Sequence, residues 1–350
     1  MIACGIFAGN LRAAAALDAK EGDFVIHDFH FRSGETLPLL RLHYRTLGQP
    51  VRDARGRVSN AVLMLHATGA DGQQFLQARF GDALFEPGGL LDTHKYFIIL
   101  PDGIGHGKSS KPSDGLRAIF PQYDYDDMVA AQYALVTQGL GINHLRLVMG
   151  ASMGCMHSFG WGETYPDFMD ALMPLACLPI QIAGRNRIWR KMVMDAIRSD
   201  PAWAGGEYKT QPREGMRTAV DLLLIAGSAP HQMQNAYPTR DAADEYLDEH
   251  FARALAALDA NDLLYQLNAS RNYDPSPWLE KIVARVMWVN SADDFINPPE
   301  LGIAEQEAKK LKNGCFVLVP ISDRTRGHGT YIWWAIWNGY LQELLATSSN

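Results

Sequence analysis

Short runs of apolar residues recur along this 350-residue chain, and they constrain its fold more than any other feature. Residues 61–66 (AVLMLH), 96–100 (YFIIL), 145–149 (LRLVM), 171–177 (ALMPLAC), 286–289 (VMWV) and 315–319 (CFVLV) lack the polar alternation of a half-exposed strand. Such runs read as strands buried on both faces. Helical patterns lie between them, as in residues 126–139, which open on Asp126 and Asp127 and stop at a glycine. Buried strands alternating with helices indicate an α/β fold whose central sheet is mostly parallel and flanked by helices. Upstream, residues 23–32 and 39–47 read as two strands joined by a turn at 33–36. Residues 179–280 break the pattern: they contain no convincing strand but several helical stretches, such as 185–198 and 241–258. The expected organisation is therefore a core of residues 1–178 and 281–350, with 179–280 inserted as a helical lid.

Composition narrows the function. A hydrophobic fraction of 47% and a charged fraction of 20% exclude a disordered chain. No stretch reaches the roughly 18 unbroken apolar residues of a membrane span. A net charge of -7 argues against a nucleic-acid partner. The four cysteines, Cys4, Cys155, Cys177 and Cys315, have no metal spacing and are too sparse for a disulfide scaffold, so buried free thiols are expected. His27 and His30 are the one close histidine pair, and strand alternation would send them to opposite faces. No metal or other cofactor is expected. The segment 1–19 is apolar and Ala-rich with an A-x-A-like end, but it lacks a basic start. It reads either as a signal-peptide remnant, implying a periplasmic or secreted protein, or as a frayed tail of a cytoplasmic one.

The sharpest chemical signal is Gly150-Ala151-Ser152-Met153-Gly154, a G-x-S-x-G pattern between the 145–149 strand and a helix beginning at Met153. A strand-turn-helix of this kind presents its serine at the tip of a strained turn. Serine is a weak nucleophile and needs a base oriented by an acid, which in such sheets follow in the order serine, acid, histidine. His328, between Gly327 and Gly329, is the only histidine after His250. Asp293 and Asp294 follow the 286–289 strand, and a D-x-[IL]-x-P pattern with Ile296 and Pro298 favours Asp294. The acid would hold the imidazole tautomer and stabilise the imidazolium. The oxyanion would take backbone N–H groups from Met153 and from Thr68, in the His66-Ala67-Thr68-Gly69 loop. A histidine base implies that activity falls on acidification.

Other features have blander readings. Asp102-Gly103-Ile104-Gly105-His106-Gly107-Lys108-Ser109 imitates a phosphate loop, but aspartate stands where the first glycine should be. Cys155 and His157 read as helix packing. Arg185, Arg187, Arg190 and Lys191 read as a solvated helix face, with anion or coenzyme A phosphate binding as the alternative. Trp189, Trp203, Tyr208 and Tyr265 are consistent with apolar substrate portions and equally with core packing.

The chain resembles the homoserine O-acetyltransferase family of the α/β-hydrolase superfamily over about residues 35–345. The resemblance rests on LRLHYRTLG, the HATG loop, LPDGIGHGKSSKPSD, GASMG followed by CMHSFGW, YPDFMDALMPLAC, AIRSDPAWAGGEY, DANDLLY, DDFINPP and GHG. It implies an α/β-hydrolase fold with a helical lid, a homodimer formed through that lid, and an acyl-enzyme on Ser152. The chain departs from the family at three points. Cys155-Met156-His157 follows the elbow instead of G-M-Q, Gly329 replaces an aspartate after the histidine, and Ile225-Ala226-Gly227-Ser228 stands where a Y-R-S element is expected. Zwitterionic homoserine would lose charged partners worth about 1.5–3 kcal/mol each. The expected function is therefore a serine esterase acting on a small-molecule ester or acyl donor. The alternatives are acetyl-CoA-dependent acyl transfer and a non-catalytic binding protein.

Overall fold

Each apolar run is a strand in the computed structural model, which describes residues 17–77, 80 and 84–348. The strands are β1 (Lys20–His30), β2 (Thr36–Leu47), β3 (Ala61–Leu65), β4 (Phe97–Pro101), β5 (Leu147–Ala151), β6 (Ala171–Leu175), β7 (Arg285–Ser291) and β8 (Gly314–Val319). They form one sheet in the order β1-β2-β4-β3-β5-β6-β7-β8. The β1–β2 and β2–β4 pairs are antiparallel, and all pairs from β3–β4 to β7–β8 are parallel.

The central strands are apolar throughout because both faces are covered. Every residue of β3, β4, β5 and β6 is buried. Alternate side chains feed opposite cores, Leu63 and Leu65 on one side, Val62 and Met64 on the other. The first core is closed by α1 (Tyr125–Ala134) and α2 (Met153–Thr164), the second by α9 (Trp334–Thr347) through Trp337, Leu341 and Leu344. α1 begins one residue before the expected aspartate pair. Asp124 caps it by accepting from the Asp127 N–H at 3.1 Å, and the helix runs on into a wider turn over Leu135–Gly139.

The chain between β6 and β7 is helical: α3 (Gly184–Ser199), α4 (Arg213–Gly227), α5 (Pro230–Ala236), α6 (Arg240–Ala257) and α7 (Ala260–Asn268). The short α8 (Ile303–Glu307) follows β7. The segment has its own apolar cluster, including Val193, Ile197, Met216 and Leu263. α7 ties it to the sheet's loops. Asp262 accepts from the Ser113 backbone N–H at 2.8 Å and hydroxyl at 2.6 Å, Tyr265 donates to the Phe120 carbonyl at 2.6 Å, and Gln266 donates to the Gly105 carbonyl at 2.8 Å.

Three expectations need correction. Cys155 and Cys177 are not free thiols: they form a disulfide that joins α2 to the chain just after β6, with Cα atoms 5.8 Å apart. Their 22-residue separation carries no pairing signal, since only the sheet brings α2 against the end of β6. Cys315 is free but exposed, and Cys4 lies outside the described residues, as does the stretch 1–16 on which the signal-peptide reading rests. His27 and His30 are both exposed. Asp28 sits at φ +49°, which shifts the alternation by one, so that Phe24, Ile26 and Phe29 pack on the core. Among the described residues there is no cluster of three or more potential metal ligands, and no helix is long and apolar enough to cross a membrane.

Candidate active site

The turn between β5 and α2 holds Ser152 at φ +53° and ψ -106°, a conformation that costs a non-glycine residue about 1–3 kcal/mol. Neighbouring strands enforce it. The Ser152 N–H donates to the Leu175 carbonyl at 2.8 Å, and the Ser152 carbonyl accepts from Met156 at 3.1 Å. The flanking glycines are obligatory by contact. A Cβ on Gly150 would lie 2.0 Å from the Gly154 carbonyl oxygen, and one on Gly154 would lie 1.9 Å from that of Leu65. Ser152 is not exposed to solvent as a free tip would be. It is 9% exposed and opens into a cavity.

Two loops beyond the sheet bring the other groups to it. His328, after β8, places Nε2 2.8 Å from Ser152 Oγ, and its Nδ1 lies 2.9 Å from Asp294 Oδ2, after β7. With Nδ1–H donating to the carboxylate, Nε2 is left to accept the serine proton. The structure separates the two aspartates. Asp294 faces the imidazole, whereas Asp293 accepts from the Ser291 hydroxyl and from the Gly327 N–H at 3.0 Å, tethering the histidine loop.

Burial by itself would raise the Asp294 carboxyl. The His328 imidazole beside it, that residue's hydrogen bond, the Asn297 amide and the Ile296 N–H outweigh burial and hold it below the usual value. Asn297 was not singled out in the sequence. It donates through Nδ2 to Asp294 Oδ2 at 2.9 Å and to the Ala176 carbonyl at 3.1 Å, bracing the acid against the end of β6. Its position three residues after the aspartate is the turn signal that could have found it.

Met153 supplies the first N–H of α2. The loop carrying Thr68 is brought to the same helix by the Gly154 N–H, which donates to the His66 carbonyl at 3.1 Å. His66 is structural. Its Nε2 accepts from the Gly103 N–H at 2.9 Å and its Nδ1 faces the Ala67 carbonyl at 2.9 Å, while burial lowers its pKa and keeps it neutral. The loop that imitated a phosphate site is structural too. Asp102 is fully buried and accepts from Arg45 at 2.8 Å, from the Gly72 N–H at 2.9 Å and from the Lys108 N–H at 2.9 Å. His157 stacks edge-on against Tyr125, and burial pulls its pKa down to about 3.

The cavity over Ser152 has a volume of about 1050 Å³. The helical segment contributes much of its wall, including Val220, Leu223, Leu263 and Leu267, and the loop after β3 contributes Thr68. No aspartate or glutamate lines it among the described residues. The basic stretch at the start of α3 is not one solvated face. Lys191 pairs with Asp195 at the surface, whereas Arg190 is 3% exposed and lines the cavity. Of the four aromatic residues noted in the sequence, Trp189 reaches this wall; Tyr265 packs on Phe120 and Tyr123.

Comparison with known proteins places this arrangement. A family described as alpha/beta hydrolase fold matches residues 60–321. A probable acyltransferase of Methanothermobacter thermautotrophicus is 31% identical over 279 residues, covering 79% of this chain and 84% of that one. A homoserine O-acetyltransferase of Pelobacter propionicus is 30% identical over 353 residues, covering 89% and 92%. Among solved structures, an acetylester hydrolase from Corynebacterium glutamicum superposes with a TM-score of 0.82 at 21% identity, covering 94% of this chain and 96% of that one. The chain therefore belongs to the α/β-hydrolase fold family of enzymes, in its homoserine O-acetyltransferase-like branch.

Proposed function

We propose that the protein is a serine esterase that cleaves a carboxylic ester through an acyl-enzyme on Ser152. The observation that carries this reading is the continuous relay Ser152 Oγ–His328 Nε2 and His328 Nδ1–Asp294 Oδ2, at 2.8 and 2.9 Å, opening on one cavity. Ser152 Oγ attacks the carbonyl as its proton passes to His328 Nε2, and Asp294 stabilises the imidazolium. The N–H groups of Met153 and Thr68 hold the oxyanion. Collapse expels the alcohol, which takes the proton from His328. Water, deprotonated by the same imidazole, then releases the carboxylic acid and restores Ser152. The segment 179–280 acts as a lid on a core of residues 1–178 and 281–350, excluding bulk water from the acyl-enzyme.

Transfer of an acetyl group from acetyl-CoA to a hydroxyl acceptor is the second reading, favoured by the names of the relatives. The cavity opposes homoserine as the acceptor. Gly329 and Ser228 line it, and no carboxylate does among the described residues, so an α-ammonium group would enter without a counter-charge. Supplying 4-nitrophenyl acetate or acetyl-CoA, with and without homoserine, and weighing the products by mass spectrometry separates the readings. Acetate alone supports the esterase, and acetylated homoserine refutes it. A homodimer through the lid belongs to the same proposal, supported by exposed Ile188 and Met192 one turn apart on α3. Sedimentation of Ile188→Glu tests it: an unchanged molecular mass would remove the lid from the interface.

A further inference from the structure

Arg190 is the buried charge that the ester-cleavage chemistry leaves unused. Its Nε donates to Asn186 Oδ1 at 2.9 Å, its Nη1 approaches Ser270 Oγ at 3.4 Å, and its guanidinium lies 4.8 Å from the Trp189 ring centroid. All these partners are neutral. Among the described residues no carboxylate lies within ion-pair distance, although the side chain is 3% exposed. A buried charge without a counter-charge is costly and calls for a partner. Next to it the buried Tyr125 hydroxyl, another neutral group, is met by the Arg190, Thr68 and Ser270 side chains. Arg190 lines the same cavity as Ser152 and Thr68, so its charge faces the space over the serine.

Charge balance identifies what is missing. The cavity wall holds no aspartate or glutamate among the described residues, and its other arginine, Arg326, already donates to the Asp323 and Thr325 carbonyls at 2.8 Å. One positive charge is left over. A carboxylate supplies one negative charge and two oxygens that fit the guanidinium fork. A phosphate monoester would bring about two charges. A zwitterionic amino acid would bring an ammonium that nothing on the wall could pair. We propose that Arg190 is a specificity site for a substrate carboxylate, so that the ester cleaved here is a monoanion carrying its charge on the acyl or the alcohol arm. The inference rests on the ester-cleavage reading for its substrate class.

Two matched pairs of substrates test it. Mono-4-nitrophenyl succinate against 4-nitrophenyl pentanoate reports the acyl arm, and 4-acetoxybutanoate against 4-acetoxybutanamide reports the alcohol arm. In the wild type, kcat/KM for the charged member of one pair should exceed that of its neutral partner by roughly tenfold or more. In Arg190→Gln that ratio should fall to near unity whatever the absolute rates, and Arg190→Lys should keep part of it. Equal rates within both pairs, or a preference that survives Arg190→Gln, would overturn the proposal and leave the esterase reading intact. Should the wild type cleave none of the four, the esterase reading falls and binding decides the site alone. Monomethyl succinate and 4-acetoxybutanoate are then titrated against Ser152→Ala by thermal shift. Stabilisation lost in the Ser152→Ala, Arg190→Gln double variant upholds the carboxylate site, and no stabilisation overturns it.

Discussion

Every residue of β3 and β5, the strands that lead to the Thr68 loop and to Ser152, is buried, whereas α6, which lines the same cavity through Tyr246, His250 and Ala254, buries Phe251 alone. One side of the cavity is held by parallel backbone pairing and by glycines whose Cβ positions are already occupied by carbonyl oxygens. The other side is a set of helices with an apolar cluster of their own, anchored to the sheet's loops mainly through α7. The ester cleavage proposed above would need its reacting atoms held to a fraction of an ångström, a task that suits the strand ends. The shape of the substrate can be accommodated by a wall that tolerates change. The lesson is that position and preference are assigned to parts of the molecule with different packing.

The largest effect should come from the rigid side. Ser152→Ala is expected to lower kcat on 4-nitrophenyl acetate by about 10⁴-fold or more, with the melting temperature nearly unchanged. Retained turnover would mean that another group attacks. Asp294→Asn should lower kcat by roughly 10³–10⁴-fold, because an amide favours the wrong imidazole tautomer. The same carboxyl gives an acid limit. Its folded pKa lies below the ordinary 3.8, so its contribution to stability is complete above that value and is lost as pH falls through the folded one. Wild type should therefore lose stability below about pH 4 more steeply than Asp294→Asn. Parallel acid-unfolding curves would refute that link.

Substitutions on the two sides of the cavity should differ in cost. Gly154→Ala drives a methyl into the Leu65 carbonyl oxygen and should cost about 3 kcal/mol or more, read as a lower denaturant midpoint. Leu223→Ala, on the partly buried helical wall, should cost less than about 2 kcal/mol while shifting kcat/KM toward longer acyl chains. Equal destabilisation of the two variants would erase the contrast.

The smallest effect concerns Glu163 at the far end of α2. Burial pushes its carboxyl up to about 7, and its Oε2 has no hydrogen-bond partner among the described residues. The folded state thus holds more protons than the unfolded one between the ordinary 4.5 and about 7, and stability falls as pH rises through that window. Glu163→Gln should flatten the decline by roughly 1–2 kcal/mol, after allowing for screening by solvent. Melting temperatures at pH 5 and pH 8 would show it, and an identical decline in both proteins would sink the idea.

Local pattern and tertiary contact contributed unequally to this reading. The strands β3 to β7 were legible because a strand covered on both faces is apolar at nearly every position, and α3 and α6 began and ended within one residue of their expected limits. Ser152 and His328 could be singled out because a strained elbow needs glycine at fixed offsets and because one histidine remained after His250. Asp293 and Asp294 were separable by pattern only in part, and their opposite hydrogen bonding comes from two loops meeting in space.

By itself the sequence determined the sheet and the strand-turn-helix around Ser152, since periodicity and glycine placement are local consequences of backbone geometry. Only the tertiary structure decided that Cys155 meets Cys177, that Asn297 braces Asp294, and that Arg190 is buried without a counter-charge while its neighbour Lys191 is paired at the surface. These depend on which segments the fold packs together across 22 residues or more than a hundred, and burial, charge balance and hydrogen bonding are properties of that packing.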